Sequence, residues 1–230
     1  MVRPTLKKQI PHLQEAIKET AWKQASEQGA ASLSLRAIAR ELKITAPAIY
    51  NYFPSRDNLV TALIYDAYQS FGDAQFAARD SIPETDLVGR LRAVGYSYRE
   101  WAVTNPQKFR LIFGTPIPGY SAPFEKTFPV AARSLGALTG MMESLRIAGK
   151  LNAVPAKKLS REDAEKFSFW KQYGGEVDIQ SFITGLVIWG RVHGFVSLEV
   201  DGNTPPFGIS ASELYKIEIE NIIKQFVQEN

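Results

Sequence analysis

The chain has 230 residues, 45% of them apolar and 22% charged, with 27 Lys and Arg against 24 Asp and Glu, two His and no Cys. This is the composition of an ordinary globular protein, long enough to bury its own core without staples. Lack of cysteine excludes disulfides, iron–sulfur clusters, thiolate zinc sites and a cysteine nucleophile, and His12 and His193 alone exclude a multi-histidine metal site.

Neither a metal nor a cofactor is expected. Arg3, Lys7 and Lys8 are followed by no apolar h-region, so the start does not read as a secretory signal, and a cytoplasmic protein is the expectation. The net charge of +3 divides unevenly. Residues 1–60 carry nine basic and five acidic side chains, residues 61–230 carry 18 and 19. The whole basic excess therefore sits in the first quarter, as a nucleic-acid-binding module on a neutral body would place it.

Residues 10–28 set Ile10, Leu13, Ala16, Ile17, Ala21 and Trp22 near 3.6 spacing and stop at Gly29, a first amphipathic helix. Ser34 is a good N-cap for Leu35–Leu42, with Leu35, Ile38, Ala39 and Leu42 on one face and Arg36, Arg40 and Lys43 on the other. Lys43-Ile44-Thr45 breaks the pattern. Thr45 can cap again, and Ala46–Phe53 reads as a third short helix with Pro47 in its first turn, where no N–H is missed. Pro54 ends it, and Ser55 caps a long helix from Arg56 to about Phe76. Beyond Pro83, helices are expected over 84–104, 107–113 and 124–150, with the Pro- and Gly-rich stretch 114–123 as a loop. A polar connector, 151–178, holds a possible helix capped by Ser160. The segment 179–200 is apolar nearly all round, but Arg191, His193 and Glu199 leave it short of about 20 clean apolar residues, so no membrane span is expected. Ser210 and Glu213 form a capping box for a last helix to about Gln228. The fold class is all-α.

Two short helices joined by a tight turn, after a longer helix and amid basic residues, have the layout of a helix-turn-helix, whose second helix enters the major groove. Ile49 and Phe53, four apart, would grip the scaffold. Thr45, Ala46, Pro47, Ala48, Tyr50, Asn51 and Tyr52 are left for DNA. Ala46 and Ala48 allow close approach to thymine methyls, Asn51 can pair with adenine, and the hydroxyls of Thr45, Tyr50 and Tyr52 suit phosphates. Arg36 and the helix N-termini at Ser34 and Ser55 can hold further phosphates. The competing reading is an all-α enzyme or assembly adaptor with a fortuitous N-terminal hairpin. No Gly-rich phosphate loop and no Gly-x-Ser-x-Gly occurs, and Ser168-Phe169-Trp170-Lys171 has the Ser-x-x-Lys spacing without its partner motifs. No enzymatic activity is expected.

The runs Leu35-Arg36-Ala37-Ile38-Ala39-Arg40-Glu41-Leu42, Ile44-Thr45-Ala46-Pro47-Ala48-Ile49-Tyr50-Asn51-Tyr52-Phe53 and Ser55-Arg56-Asp57-Asn58-Leu59 strongly resemble the N-terminal helix-turn-helix of TetR-family transcriptional regulators. The resemblance spans about residues 10–65. It implies a homodimeric transcriptional regulator, usually a repressor, that binds a near-palindromic double-stranded operator and is released by a small-molecule effector. The implied division is a DNA-binding domain over 1–54 and an effector-binding and dimerisation domain over 55–230. It further implies phosphate contacts at Tyr50 and near Arg56. The family often has His where this chain has Tyr52 and Lys where it has Pro54. Trp189-Gly190-Arg191-Val192-His193-Gly194-Phe195 resembles the Trp–His–Gly signature of one TetR subgroup.

Tyr98, Trp101, Phe109, Phe113, Met141, Met142, Leu145, Trp189 and His193 are the candidates for an effector pocket, although aromatic and Met side chains at helical spacing serve a plain core equally well. A helix apolar on all sides suits a two-fold interface, with one face in its own subunit and the other on the partner. Helices 179–200 and 210–228 are expected to form that interface through Phe182, Leu186, Trp189, Phe195, Ile222 and Phe226.

Overall fold

The computed structural model describes residues 12–156, 158–204, 206 and 208–228. Arg3, Lys7, Lys8 and Ile10 of the sequence reading lie outside them. The described residues form ten α-helices. These are α1 (Leu13–Gln28), α2 (Leu35–Glu41), α3 (Ala46–Tyr50), α4 (Arg56–Asp80), α5 (Leu87–Thr104), α6 (Pro106–Phe113), α7 (Phe124–Ile147), α8 (Arg161–Gly174), α9 (Ile179–Val200) and α10 (Ala211–Phe226), with a 3₁₀ turn at Ala30–Ser32 after α1. The only strand-like pairing among these residues is an isolated bridge from Leu151 to Val227.

Short polar side chains start most of these helices by accepting an otherwise orphaned N–H. Ser34 accepts from Ala37 N at 3.3 Å, Ser55 from Asn58 N at 3.2 Å and Ser160 from Asp163 N at 3.1 Å. Ser210 and Glu213 make the reciprocal capping box. Each such cap contributes about 1 kcal/mol. Three expectations are corrected. Thr45 occupies the N-cap position of α3 but its side chain makes no cap bond. Pro47 has no N–H to give, and Ala48 N already donates to the Thr45 carbonyl at 3.0 Å. The long helix runs on to Asp80, because the Ala77 carbonyl still accepts from Ser81 N at 3.0 Å and the Arg79 carbonyl from Ile82 N at 3.2 Å. The next begins at Leu87 rather than at 84, since Asp86 caps it by accepting from Gly89 N at 2.7 Å.

Two hydrophobic cores result. The first joins Ile17, Ala21, Ile38, Ala39, Ile49 and Phe53 to Leu59, Val60, Leu63 and Ile64 at the start of α4. The second joins Phe71 at the far end of α4 to Tyr98, Met141, Met142, Leu145, Val192, Ile222 and Phe226. Helix α4 thus belongs to both. Helix α7 crosses α8 closely at Gly136, where a Cβ would lie 2.6 Å from the Gly174 carbonyl oxygen.

By length and composition alone α9 could cross a membrane. In the fold one face of it joins the core: Ser181, Thr184, Gly185, Ile188, Val192 and Val196 face inward. Its charged residues are paired, Arg191 with Glu218 and Glu199 with Arg99, each at 2.5 Å.

Candidate nucleic-acid interface and effector cavity

The reading unit is held by its apolar side. Ile49 is fully buried and Phe53 nearly so, while Thr45, Ala46, Pro47, Tyr50, Asn51 and Tyr52 are exposed and Ala48 is half-buried. The helical hydrogen bonding continues past Tyr50, with Tyr52 N and Phe53 N both donating to the Ile49 carbonyl at 3.0 Å. Pro54 then forces its predecessor out of the helical region and ends the element. Arg36 and Arg40 are exposed, and among the described residues no carboxylate pairs with either.

The turn between α2 and α3 holds a residue that sequence reasoning passed over. Lys43 has φ of 55°. Its N–H donates to the Arg40 carbonyl at 3.1 Å and Ile44 N donates to the Ala39 carbonyl at 2.9 Å, which is a Schellman motif with Lys at the position glycine usually fills. A left-handed conformation costs an L-residue about 1–2 kcal/mol. Lys43 is exposed, so its ammonium is placed in the turn beside the reading helix at the expense of backbone strain. The signal in the sequence was the turn itself, a break in helical pattern without a glycine.

Arg56, expected on a phosphate, is turned inward in this structure. Its Nη2 donates to the carbonyls of Ala31 at 2.8 Å and Ala30 at 3.3 Å, tying the start of α4 to the 3₁₀ turn. It acts here as a strut of the reading unit.

The C-terminal helices leave a partly open cavity of about 250 Å³ between α4, α5, α6, α7 and α9, lined by Phe71, Gln75, Tyr98, Phe113, Leu138 and Trp189 among others. Of the expected pocket residues, Tyr98, Phe113 and Trp189 are on this wall. His193 stands behind it. Its Nδ1 is 2.8 Å from the Tyr98 hydroxyl and its Nε2 is 3.3 Å from Ser197 Oγ, with Trp189 stacked on its ring at 5.0 Å. Burial lowers the His193 pKa below its ordinary value and raises that of the Tyr98 hydroxyl, so both are neutral at pH 7.

Met141, Met142 and Leu145 are corrected: all are at most 1% exposed and pack in the interior of the second core, touching no cavity described here. Trp101 packs on Phe71 at 4.9 Å and faces a separate open groove, of about 800 Å³, with Arg99, Glu100 and Lys216. Phe109 lies against His193 at 5.5 Å and borders the cleft between α6 and the end of α1.

On the dimer side, Ile222 and Phe226 are 1% and 3% exposed within a single chain, so they have no surface left for a second one. Phe182 packs on Trp170 at 4.5 Å and is half-buried, as is Trp189. The face of α9 that remains uncovered carries Leu186, Val187, Phe195 and Leu198, with Gly190 and Gly194 exposed between them.

A solvent-facing reading helix on a buried Ile–Phe grip, followed by a large helical body, defines a helix-turn-helix DNA-binding regulator. The chain matches the family described as bacterial regulatory proteins, tetR family, over residues 17–63 and the tetracyclin repressor-like C-terminal domain over residues 91–222. It belongs to the TetR family. The HTH-type transcriptional regulator Rv1816 of Mycobacterium tuberculosis is 35% identical over 192 residues, covering 83% of this chain and 81% of that protein. The same figures hold for the HTH-type transcriptional regulator Mb1846 of Mycobacterium bovis. Among solved structures, a chain described as regulatory protein SCO4313 superposes with a TM-score of 0.73 at 32% identity, covering 93% of this chain and 96% of its own. SmeT, in a complex with triclosan, shares the fold at 15% identity and a TM-score of 0.64, covering 94% of this chain and 92% of its own. The chain is accordingly a DNA-binding transcriptional regulator and not an enzyme.

Proposed function

We propose that the protein is a repressor of the Trp–His–Gly type that acts in the cytoplasm as a homodimer on a near-palindromic operator and is released by a small molecule held in the helical body. The observation that carries the DNA half is the division of α3, buried at Ile49 and exposed at Tyr50 and Asn51. Two copies of α3 enter successive major grooves, with half-site centres about 34–36 Å apart or a multiple of that spacing. The reading unit is residues 1–54 seated on the first turns of α4, and 55–230 form the body.

The uncovered stripe on α9 supports the dimer. Apolar residues flanking two glycines let a partner helix approach closely, and one such helix from each subunit closes a two-fold contact. The aromatic cavity between α4, α5, α6, α7 and α9 supports the effector site, since apolar clefts with few polar groups are where small ligands bind. SmeT, a protein of this fold, is described in a complex with triclosan.

Selection of genomic fragments by the purified protein at two salt concentrations tests the reading. Retention that falls steeply with salt, on fragments sharing a two-fold motif, is expected from counterion release. Absence of retention even at low salt would sink it.

A further inference from the structure

A second chamber, of about 370 Å³, lies between α4, α6, the start of α7 and the loop 114–123. Tyr68 and Ala131 line both this outer chamber and the inner 250 Å³ cavity, so the two abut at those side chains. The inner one falls below the about 300–1,000 Å³ usual for a drug-sized ligand and the outer lies near its lower end, whereas the pair falls well within it.

The linings have a common chemistry. Among the described residues, neither chamber is lined by any Asp, Glu, Lys, Arg or His. The outer wall is largely aliphatic, with Ile64, Ile112 and Ile117, and its rim carries Phe124 stacked on Phe128 at 4.6 Å, with Phe124 59% exposed. At the inner end Gln75 donates through Nε2 to the carbonyls of Phe71 and Ser134, both at 3.3 Å, which leaves its Oε1 to accept from a ligand. An isolated carboxylate or ammonium in such surroundings would lose its hydration with no counter-charge.

We infer that the two chambers form one bipartite site for an elongated, uncharged, mostly apolar molecule with a hydroxyl-like donor at one end, such as a long-chain alcohol. This rests on reading the inner cavity as the effector site. The outer chamber adds a mechanical consequence: Ile64 belongs to the core of the reading unit, and Ile112, Ile117 and Tyr120 pack against it. A chain filling that chamber presses directly on the residues that seat α3.

The test is displacement of the uncharged fluorophore N-phenyl-1-naphthylamine from the full-length protein by 1-dodecanol, 1-hexanol and dodecanoate. Dodecanol is expected to displace at least about tenfold more strongly than dodecanoate, because an unpaired buried charge costs more than the 1.4 kcal/mol that a factor of ten represents. Ala131→Phe, which narrows the junction, is expected to weaken dodecanol and spare hexanol. Ala122→Phe, on the exposed loop that roofs the outer chamber, is expected to do the same without touching the core. Dodecanoate competing as well as dodecanol, or both alcohols weakening equally in the two variants, would overturn the site. Dodecanol binding with the expected selectivity but no change in retention of genomic fragments would support the site and overturn the effector reading instead.

Discussion

The hydroxyl of Tyr120 lies 2.9 Å from that of Thr61, so the α6–α7 loop is hydrogen-bonded to the second turn of α4. The bond runs from the roof of the outer chamber to the helix that directly follows the reading unit. Tyr68, on the wall that the two chambers share, donates its hydroxyl to the Ile112 carbonyl at 3.2 Å and secures α6 to the same helix.

Tyr120→Phe is expected to loosen the loop without unfolding the protein. A partly exposed neutral hydrogen bond contributes about 0.5–1.5 kcal/mol. Hydrogen exchange across residues 114–123 should quicken, with the unfolding free energy from urea titration lowered by no more than that amount. Unchanged exchange there would show that the bond does not hold the loop.

Tyr50→Phe and Asn51→Ala separate positioning from reading. Both residues are exposed, so neither change should alter thermal stability. Tyr50→Phe should weaken binding to cognate and scrambled duplexes alike, while Asn51→Ala should cost about 1–3 kcal/mol on the cognate site and relax preference at one base pair. Fluorescence anisotropy on both duplexes reads the difference.

Lys43→Gly sets stability against binding. Glycine adopts the left-handed turn without the Cβ penalty, so the melting temperature should rise or hold. Losing the cation should lower DNA affinity at every sequence and reduce the slope of log K against log salt by about 1. A salt slope unchanged within error would remove Lys43 from the interface.

Gly190→Leu addresses the dimer. Nothing lies within 4 Å of a Cβ built at Gly190, so the subunit itself has room, and replacing a mid-helix glycine favours the helix. Helicity should be preserved while sedimentation shifts from dimer to monomer and operator affinity falls. A variant that stays dimeric would place the contact elsewhere.

Glu143 gives the body an acid-sensitive joint. Its carboxylate accepts from Ser181 Oγ at 2.7 Å and Asp178 N at 3.0 Å, and pairs with Arg146 at 2.7 Å, fastening α7 to the start of α9. The Arg146 guanidinium and these hydrogen bonds lower its pKa to about 2, against an ordinary value of 4.5. With the folded pKa depressed, this stability is fully present above the ordinary value and is lost as pH falls through 4.5 toward 2. Thermal melts should show Glu143→Gln less stable than the parent at neutral pH and less dependent on pH in that window. Parallel pH profiles would contradict the assignment.

The reading unit was legible because its residues answer to local rules: a serine cap, a proline stop, and Ile49 and Phe53 one turn apart. The body was legible as helices for the same reason. What periodicity does not convey is which partner consumes an apolar face. Ile222 and Phe226 have the spacing of an interface, yet α5 and α9 of the same chain cover them. Met141 and Met142 have the spacing of a pocket, but a cavity is the space left where helices fail to meet, set by α4, α7 and α9 together. The outer chamber was hidden for a related reason, since its walls come from a loop and three different helices. Lys43 was hidden because its strain is a backbone property that only coordinates disclose.

The division of α4 between two cores bears on how such proteins can be recombined. At about 1.5 Å per residue, its 25 residues make a rod about 37 Å long. A graft cut at Pro54 would bring a foreign reading unit onto Leu59, Val60, Leu63 and Ile64, whose apolar surfaces were shaped for this one. A cut at the exposed Tyr65, after those four and before Phe71 enters the other core, would keep the buried members of each core together and leave Tyr68, Leu111, Ile112, Ile117 and Tyr120 as the body's contacts with the foreign unit.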